Sequence, residues 1–202
     1  MPKNNLDLSI CVLAHPSREE WFPYLKSKLG KNIQFQIDWE SEGNWPNARK
    51  AWARYDPAKK FHLVIQDDAI ICNNFYQRLA PHLEHDYKAM SLYWGNDKTM
   101  NRPSRCIERG FYVYKVVWGV AIMLRTDIID SMLEWTGNRE WPERYGNKCD
   151  DTRISTYIYK SRYKCYYPFP SLVDHRVEEN TSLTDEIKSP KRHALKFIDN
   201  IK

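Results

Sequence analysis

Asp67 and Asp68 are adjacent carboxylates at the end of an apolar run, in LVIQDDAII. Like charges side by side at a strand end repel each other, so the pattern calls for a cation or for hydrogen-bond donors. The competing account is an Asx turn or a helix cap closing the strand. A second acidic pair, Asp150 and Asp151, opens the stretch CDDTRIS. A carboxylate there either takes a proton from a hydroxyl group or caps the exposed amides of a helix, and residue type alone leaves both open. His175, between Asp174 and Arg176, reads by itself as an ordinary surface histidine. Asp67, Asp68, Asp150, Asp151 and His175 together would also suit a metal-dependent nuclease or phosphodiesterase.

The elements that must position these groups follow from periodicity. Leu6 to Ala14 reads as a buried strand, followed by a turn at His15-Pro16 and a helix from Arg18 to Leu29 capped by Ser17 and stopped by Gly30. Ile33 to Trp39 alternates as a strand, Ala48 to Tyr55 reads as a helix, and Phe61 to Gln66 is a strand running into the acid pair. A helix is expected at Asn73 to Leu83. The second half reads as strands at Lys88 to Trp94 and Trp118 to Leu124 and a helix at Thr126 to Trp135 capped by Thr126. Another helix follows at Asp150 to Lys160, then one or two short strands within Cys165 to His175, and a helical tail from Lys188. Strand and helix in alternation predict an α/β fold with a largely parallel central sheet flanked by helices, which binds ligands at the C-terminal ends of its strands. Without repeat or linker, residues 1–202 are expected to form a single domain.

Composition is that of a globular chain, 42% hydrophobic and 28% charged. No run approaches the ~18 apolar residues that span a bilayer, and MPKNNLDLS lacks the apolar stretch of a secretory signal. The expectation is therefore a protein of the cytoplasm without membrane insertion. Cys11, Cys72, Cys106, Cys149 and Cys165 lack zinc-site spacing and are expected to be reduced and mostly buried. The formal charge of +5 is concentrated in clusters such as Arg102, Arg105 and Arg109, and eight Trp and thirteen Tyr exceed the needs of a core. Some of those rings are expected to line a groove, where sugars or bases stack on flat apolar faces.

Gln66-Asp67-Asp68 after a hydrophobic strand resembles the short acidic motif of the GT-A nucleotide-sugar glycosyltransferases. The resemblance implies a divalent ion, Mn2+ or Mg2+, on Asp68 and bridging the donor diphosphate, with Asp67 near the ribose or sharing the ion. The segment CYYPFPSLVDHRVEENTSL is similar to the family's C-terminal P-S-L-V-x-H-x-G-x-x-S stretch, with Val177 where the motif prefers Gly. That likeness makes His175 a further metal ligand. Trp118-Gly119-Val120-Ala121, followed later by Asp150-Asp151, resembles the family's acceptor side, which implies that Asp151 or Asp150 is the base of an inverting transfer. By position Arg18 and Arg49 would meet the donor diphosphate, and Asp38 or Glu40 the uracil or ribose of a UDP-sugar. The likeness runs from the first strand to Thr181-Ser182.

Two acceptors are weighed: hydroxymethylated bases in viral DNA, which the basic clusters and aromatic rings favour, and a bacterial surface glycan. Trp94, Arg102, Arg105, Arg109 and Trp118 are the expected acceptor groove. A dinucleotide-binding oxidoreductase is disfavoured by the absence of a G-x-G-x-x-G after the first strand. A non-catalytic carbohydrate- or nucleic-acid-binding module would need no metal. Sequence does not specify the oligomeric state.

Overall fold

The computed structural model describes residues 6–31, 33–95, 110–113, 118–143, 150–176 and 193–200. Its centre is a seven-stranded sheet built from β1 (Leu8–Ala14), β2 (Gln34–Ile37), β3 (Phe61–Gln66), β5 (Ala89–Ser91), β6 (Gly110–Val113), β7 (Ala121–Arg125) and β8 (Cys165–Pro168). A separate pair joins β4 (Ala69–Ile71) to β9 (Val173–His175). The strand order is β2-β1-β3-β7-β5-β8-β6. β1 runs parallel to β2 and β3, and β5 parallel to β8, whereas β7 is antiparallel to both β3 and β5, and β6 is antiparallel to β8. Only β6 and β7 therefore oppose the common direction, and the expected largely parallel sheet holds.

Alternation along the central strands explains why both faces are covered. Ile10, Val12, Leu63 and Ile65 join one core with Leu25 and Leu29 of α1 (Phe22–Leu29) and Phe75 and Leu79 of α3 (Phe75–Leu79). Cys11, Leu13 and Val64 face the other core. There they meet Trp52 of α2 (Asn44–Trp52), Met132 of α4 (Ile129–Gly137) and Ile154 of α5 (Asp150–Lys160). Cys11, Cys72 and Cys165 are buried free thiols, while Cys106 and Cys149 lie outside the described residues.

Several local expectations are corrected. A 3-10 segment, Pro16–Trp21, precedes α1, and its cap is the His15 ring, which accepts the Ser17 amide, so Ser17 is not the cap. α2 starts at Asn44 because Pro46 is tolerated in a first turn. Thr126 does not cap a helix; its hydroxyl donates to the Lys59 carbonyl. The tail shows one 3-10 turn at Ile198–Asn200, with residues 188–192 outside the described set. Among the described residues no helix is long and apolar enough to cross a membrane.

Candidate functional site

β1, β2 and β3 end together, and the turn after β1 folds over the end of β3. The backbone amide of His15 donates to Asp67 Oδ2 at 2.7 Å. Arg18, buried in the 3-10 segment, reaches Asp67 Oδ1 at 2.6 Å and Asp68 Oδ2 at 2.8 Å through one nitrogen, Nη1. Both Asp67 oxygens are thus occupied, and this carboxylate braces the turn. Asp68 lies where β4 begins. Pairing of Ala69 with His175 across the β4–β9 ladder sets the imidazole beside it, with Nε2 at 3.4 Å from Asp68 Oδ2.

Electrostatics separates the two acids. Burial pushes the Asp68 carboxyl up, but the His175 hydrogen bond and charge and then Arg18 outweigh it, so its pKa falls below the ordinary value. Burial raises Asp67, and the neighbouring Asp68 charge adds to that against Arg18 and the His15 amide. Two carboxylates sharing one guanidinium behave this way, one remaining readily ionised while the other resists.

Asp68 Oδ1 and His175 Nδ1 are buried without a hydrogen-bond partner in the protein. An ionised carboxylate with a spare oxygen and an adjacent imidazole fit a hard or borderline divalent ion such as Mn2+ or Mg2+. Among the described residues no three His, Cys, Asp or Glu side chains converge. Asp68 and His175 would accordingly be two ligands, with the rest of the ion's shell completed from a bound substrate or water.

A second acidic centre lies across Gly119. A Cβ placed on that glycine would sit 3.1 Å from Gln66 Nε2 and 3.2 Å from Asp150 Oδ1, so these two side chains crowd the same bare backbone. Asp150 is 5% exposed, and its amide donates to Asn44 Oδ1, tying the start of α5 to the start of α2. Burial, then the Asp151 charge, raises the Asp150 carboxyl to about 7. Asp151, also raised by burial, accepts from the amide and hydroxyl of Thr152. Between the two acidic centres run packed rings: Tyr93 lies 6.3 Å from the His175 ring and 5.8 Å from Trp118, the residue before Gly119.

The other sequence-derived candidates divide. Asp38 closes its own loop, its two oxygens accepting the amides of Glu42 and Gly43. Glu40 is exposed on the turn after β2. Arg49 is exposed on α2 with its guanidinium against Gly137 of α4. Trp94, 3% exposed and edge-on to Trp118 and Tyr167, packs in the core. Arg102, Arg105 and Arg109 lie outside the described residues. Sequence reasoning gave no role to Gln66 or Arg176, although both stand in the motifs it singled out, and no pattern marks Tyr93. A cavity of about 610 Å³ lined by Leu8, Ser9, Lys31, Gln34 and Tyr76 opens at the opposite, N-terminal ends of β1 and β2, away from both acidic centres.

No family model matches this chain, and no curated protein sequence matches it at a significant level. Among solved structures it is similar to the 4-diphosphocytidyl-2C-methyl-D-erythritol synthase of Anaerococcus prevotii, at TM-score 0.49 and 10% identity over 84% of this chain and 92% of that one. It is similar to a Bacillus anthracis protein described as a glucose-1-phosphate thymidylyltransferase, in complex with sucrose, at 0.49 and 11% over 83% and 89%. A mutant Drosophila β-1,4-galactosyltransferase 7 in complex with manganese, UDP-Gal and xylobiose gives 0.48 and 11% over 96% and 84%. At such identities and scores, function has to be argued from the site itself.

Proposed function

We propose that this chain is a divalent-metal-dependent glycosyltransferase of the GT-A type that moves a hexosyl group from a nucleotide sugar, a UDP-sugar first among candidates, to a hydroxyl acceptor. The observation that carries this is the placement of two different acidic centres at one edge of the sheet. The cation-suited pair Asp68 and His175 and the buried Asp150, with its carboxyl near 7, are separated by Tyr93, Trp118 and Gly119. A cation site next to a proton acceptor of near-neutral pKa is what transfer from a diphosphate leaving group requires. A phosphodiesterase would gather several carboxylates around its ions, and among the described residues no three His, Cys, Asp or Glu side chains form such a group.

Asp68 and His175 would hold the ion, which supplies Lewis acidity to the departing nucleoside diphosphate. Arg18 fixes Asp68 and Asp67 so that neither swings away when substrate enters. Asp150 takes the proton of the acceptor hydroxyl as its oxygen bonds to the anomeric carbon and the bond from that carbon to the phosphate oxygen breaks. This is a single displacement with inversion. Gln66 and Gly119 shape the wall beside Asp150. Hydroxymethylated DNA is the first acceptor to assay, because a net charge of +5 favours a polyanion, and a surface glycan is the second.

The decisive assay is release of nucleoside diphosphate from UDP-glucose and a panel of other nucleotide sugars, with Mn2+ or with chelator. Wild type should release it only with metal, and Asp68→Asn should lose roughly 100-fold or more. Metal-independent release, or release unaffected by Asp68→Asn, would refute this assignment of the site.

A further inference from the structure

Arg176 follows His175 directly, and its backbone amide donates to the Asp68 carbonyl at 3.0 Å, so it is tied to the acid pair through the main chain. Its guanidinium lies 3.6 Å from the centroid of the Trp21 ring and 4.8 Å from that of Tyr24. Tyr24 is itself fixed, its hydroxyl donating to the Ile71 carbonyl and accepting the Ile71 amide on β4. Rings therefore pre-set the position and plane of this cation, the ordering cost of which would otherwise fall on ligand binding. Among the described residues no carboxylate lies within ion-pair distance of it, and Asp67 and Asp68 share Arg18 instead. Arg176 Nε and Trp21 Nε1 are both buried without a hydrogen-bond partner in the protein. Unsatisfied donors on a pre-set cation, one residue from His175 and tied by its main chain to Asp68, mark a place for an anion with several oxygens.

We infer that Arg176, with Trp21 as its platform, is the phosphate-recognition residue of this site and binds the diphosphate of a nucleoside diphosphate or its sugar ester. The inference rests on the nucleotide-sugar reading above and adds to it the residue that meets the phosphates. An ammonium group cannot lie flat on the indole and offer the same fork of donors, so Arg176→Lys fails along with Arg176→Gln.

The test is tryptophan-fluorescence titration, supported by calorimetry, of wild type, Arg176→Lys and Arg176→Gln in Mn2+. The ligands are UDP, GDP, CDP and ADP, the nucleoside of whichever binds, and inorganic pyrophosphate. Melting temperatures of the variants establish that they are folded. The inference expects both variants to weaken nucleoside diphosphate and pyrophosphate binding about tenfold or more, with nucleoside binding changed less than about twofold. Arg176-dependent binding of pyrophosphate without any nucleotide would sustain the phosphate site and sink the donor assignment. Diphosphate affinity unchanged in Arg176→Lys, an equal loss for nucleoside and diphosphate, or no binding of either anion by wild type would overturn the inference.

Discussion

Asp150 is pulled in opposite directions by pH. Its carboxyl is raised from 3.8 to about 7 by burial and the Asp151 charge, so the folded chain binds a proton there that the unfolded chain has already released. Its contribution to stability is therefore complete below 3.8 and is lost as pH rises through about 7, a few kcal/mol in all. Asp150→Asn should melt higher than wild type at pH 8, and the advantage should vanish near pH 4. On the proposed reading, transfer has the opposite dependence, since only the ionised carboxylate accepts a proton. The wild-type rate should climb to a plateau above about 7, and Asp150→Asn should lose roughly 10²- to 10⁴-fold. A variant no more stable than wild type at pH 8 would show that the carboxyl is not strained by burial. Gly119 offers a separate check, because an added methyl meets the Gln66 amide and the Asp150 carboxylate at 3.1 to 3.3 Å. Gly119→Ala is expected to lower kcat/KM about tenfold while changing stability by less than about 1 kcal/mol, since the groups displaced are side-chain ends. Unchanged kinetics in this variant would separate Gln66 and Asp150 from the chemistry.

Elements are held in place by polar ties as well as by packing. His62 on β3 is fully buried; its Nδ1 pairs with the Ser9 hydroxyl of β1 at 2.8 Å and its Nε2 with the Ala51 carbonyl of α2 at 3.2 Å. Burial lowers its pKa from 6.5 to about 4, so the ring stays neutral in the fold and charges on unfolding. Stability from this group is present above 6.5 and lost as pH falls toward about 4. Urea midpoints should decline across that window, and His62→Phe, though less stable overall, should decline less steeply. An identical slope would assign the acid sensitivity elsewhere. What the sequence revealed about elements depends on how much pattern each carries. β3 and α5 were legible to the residue, because one is an unbroken apolar run and the other presents Ile154, Tyr157 and Ile158 on a buried face. β4 and β6, at three and four residues, carry too little periodicity to distinguish from loop. At Asp38 and Trp94 residue type suggests a ligand contact, and only tertiary structure shows the amides and rings of the protein that these side chains also engage.

Over the whole molecule, the five strands that share one direction deliver their C-terminal ends to a common edge, which is why Asp67, Asp68 and the turn carrying Arg18 come together. This much followed from motif order along the chain. The meeting of Asp68 with His175, and of Gln66 and Asp150 at the same Gly119, spans about half the sequence and has no local signature beyond the acidic and Pro-rich motifs. Closure depends on the short pairing of Ala69–Ile71 with Val173–His175. Such long-range contacts carry a loop-closure cost and form late. On a ribosome, a chain paused before residue 173 would have its acid pair but neither His175 nor Arg176 to complete it. On the proposed reading, nucleotide binding would begin only after β9 and Arg176 had been made and had docked against β4.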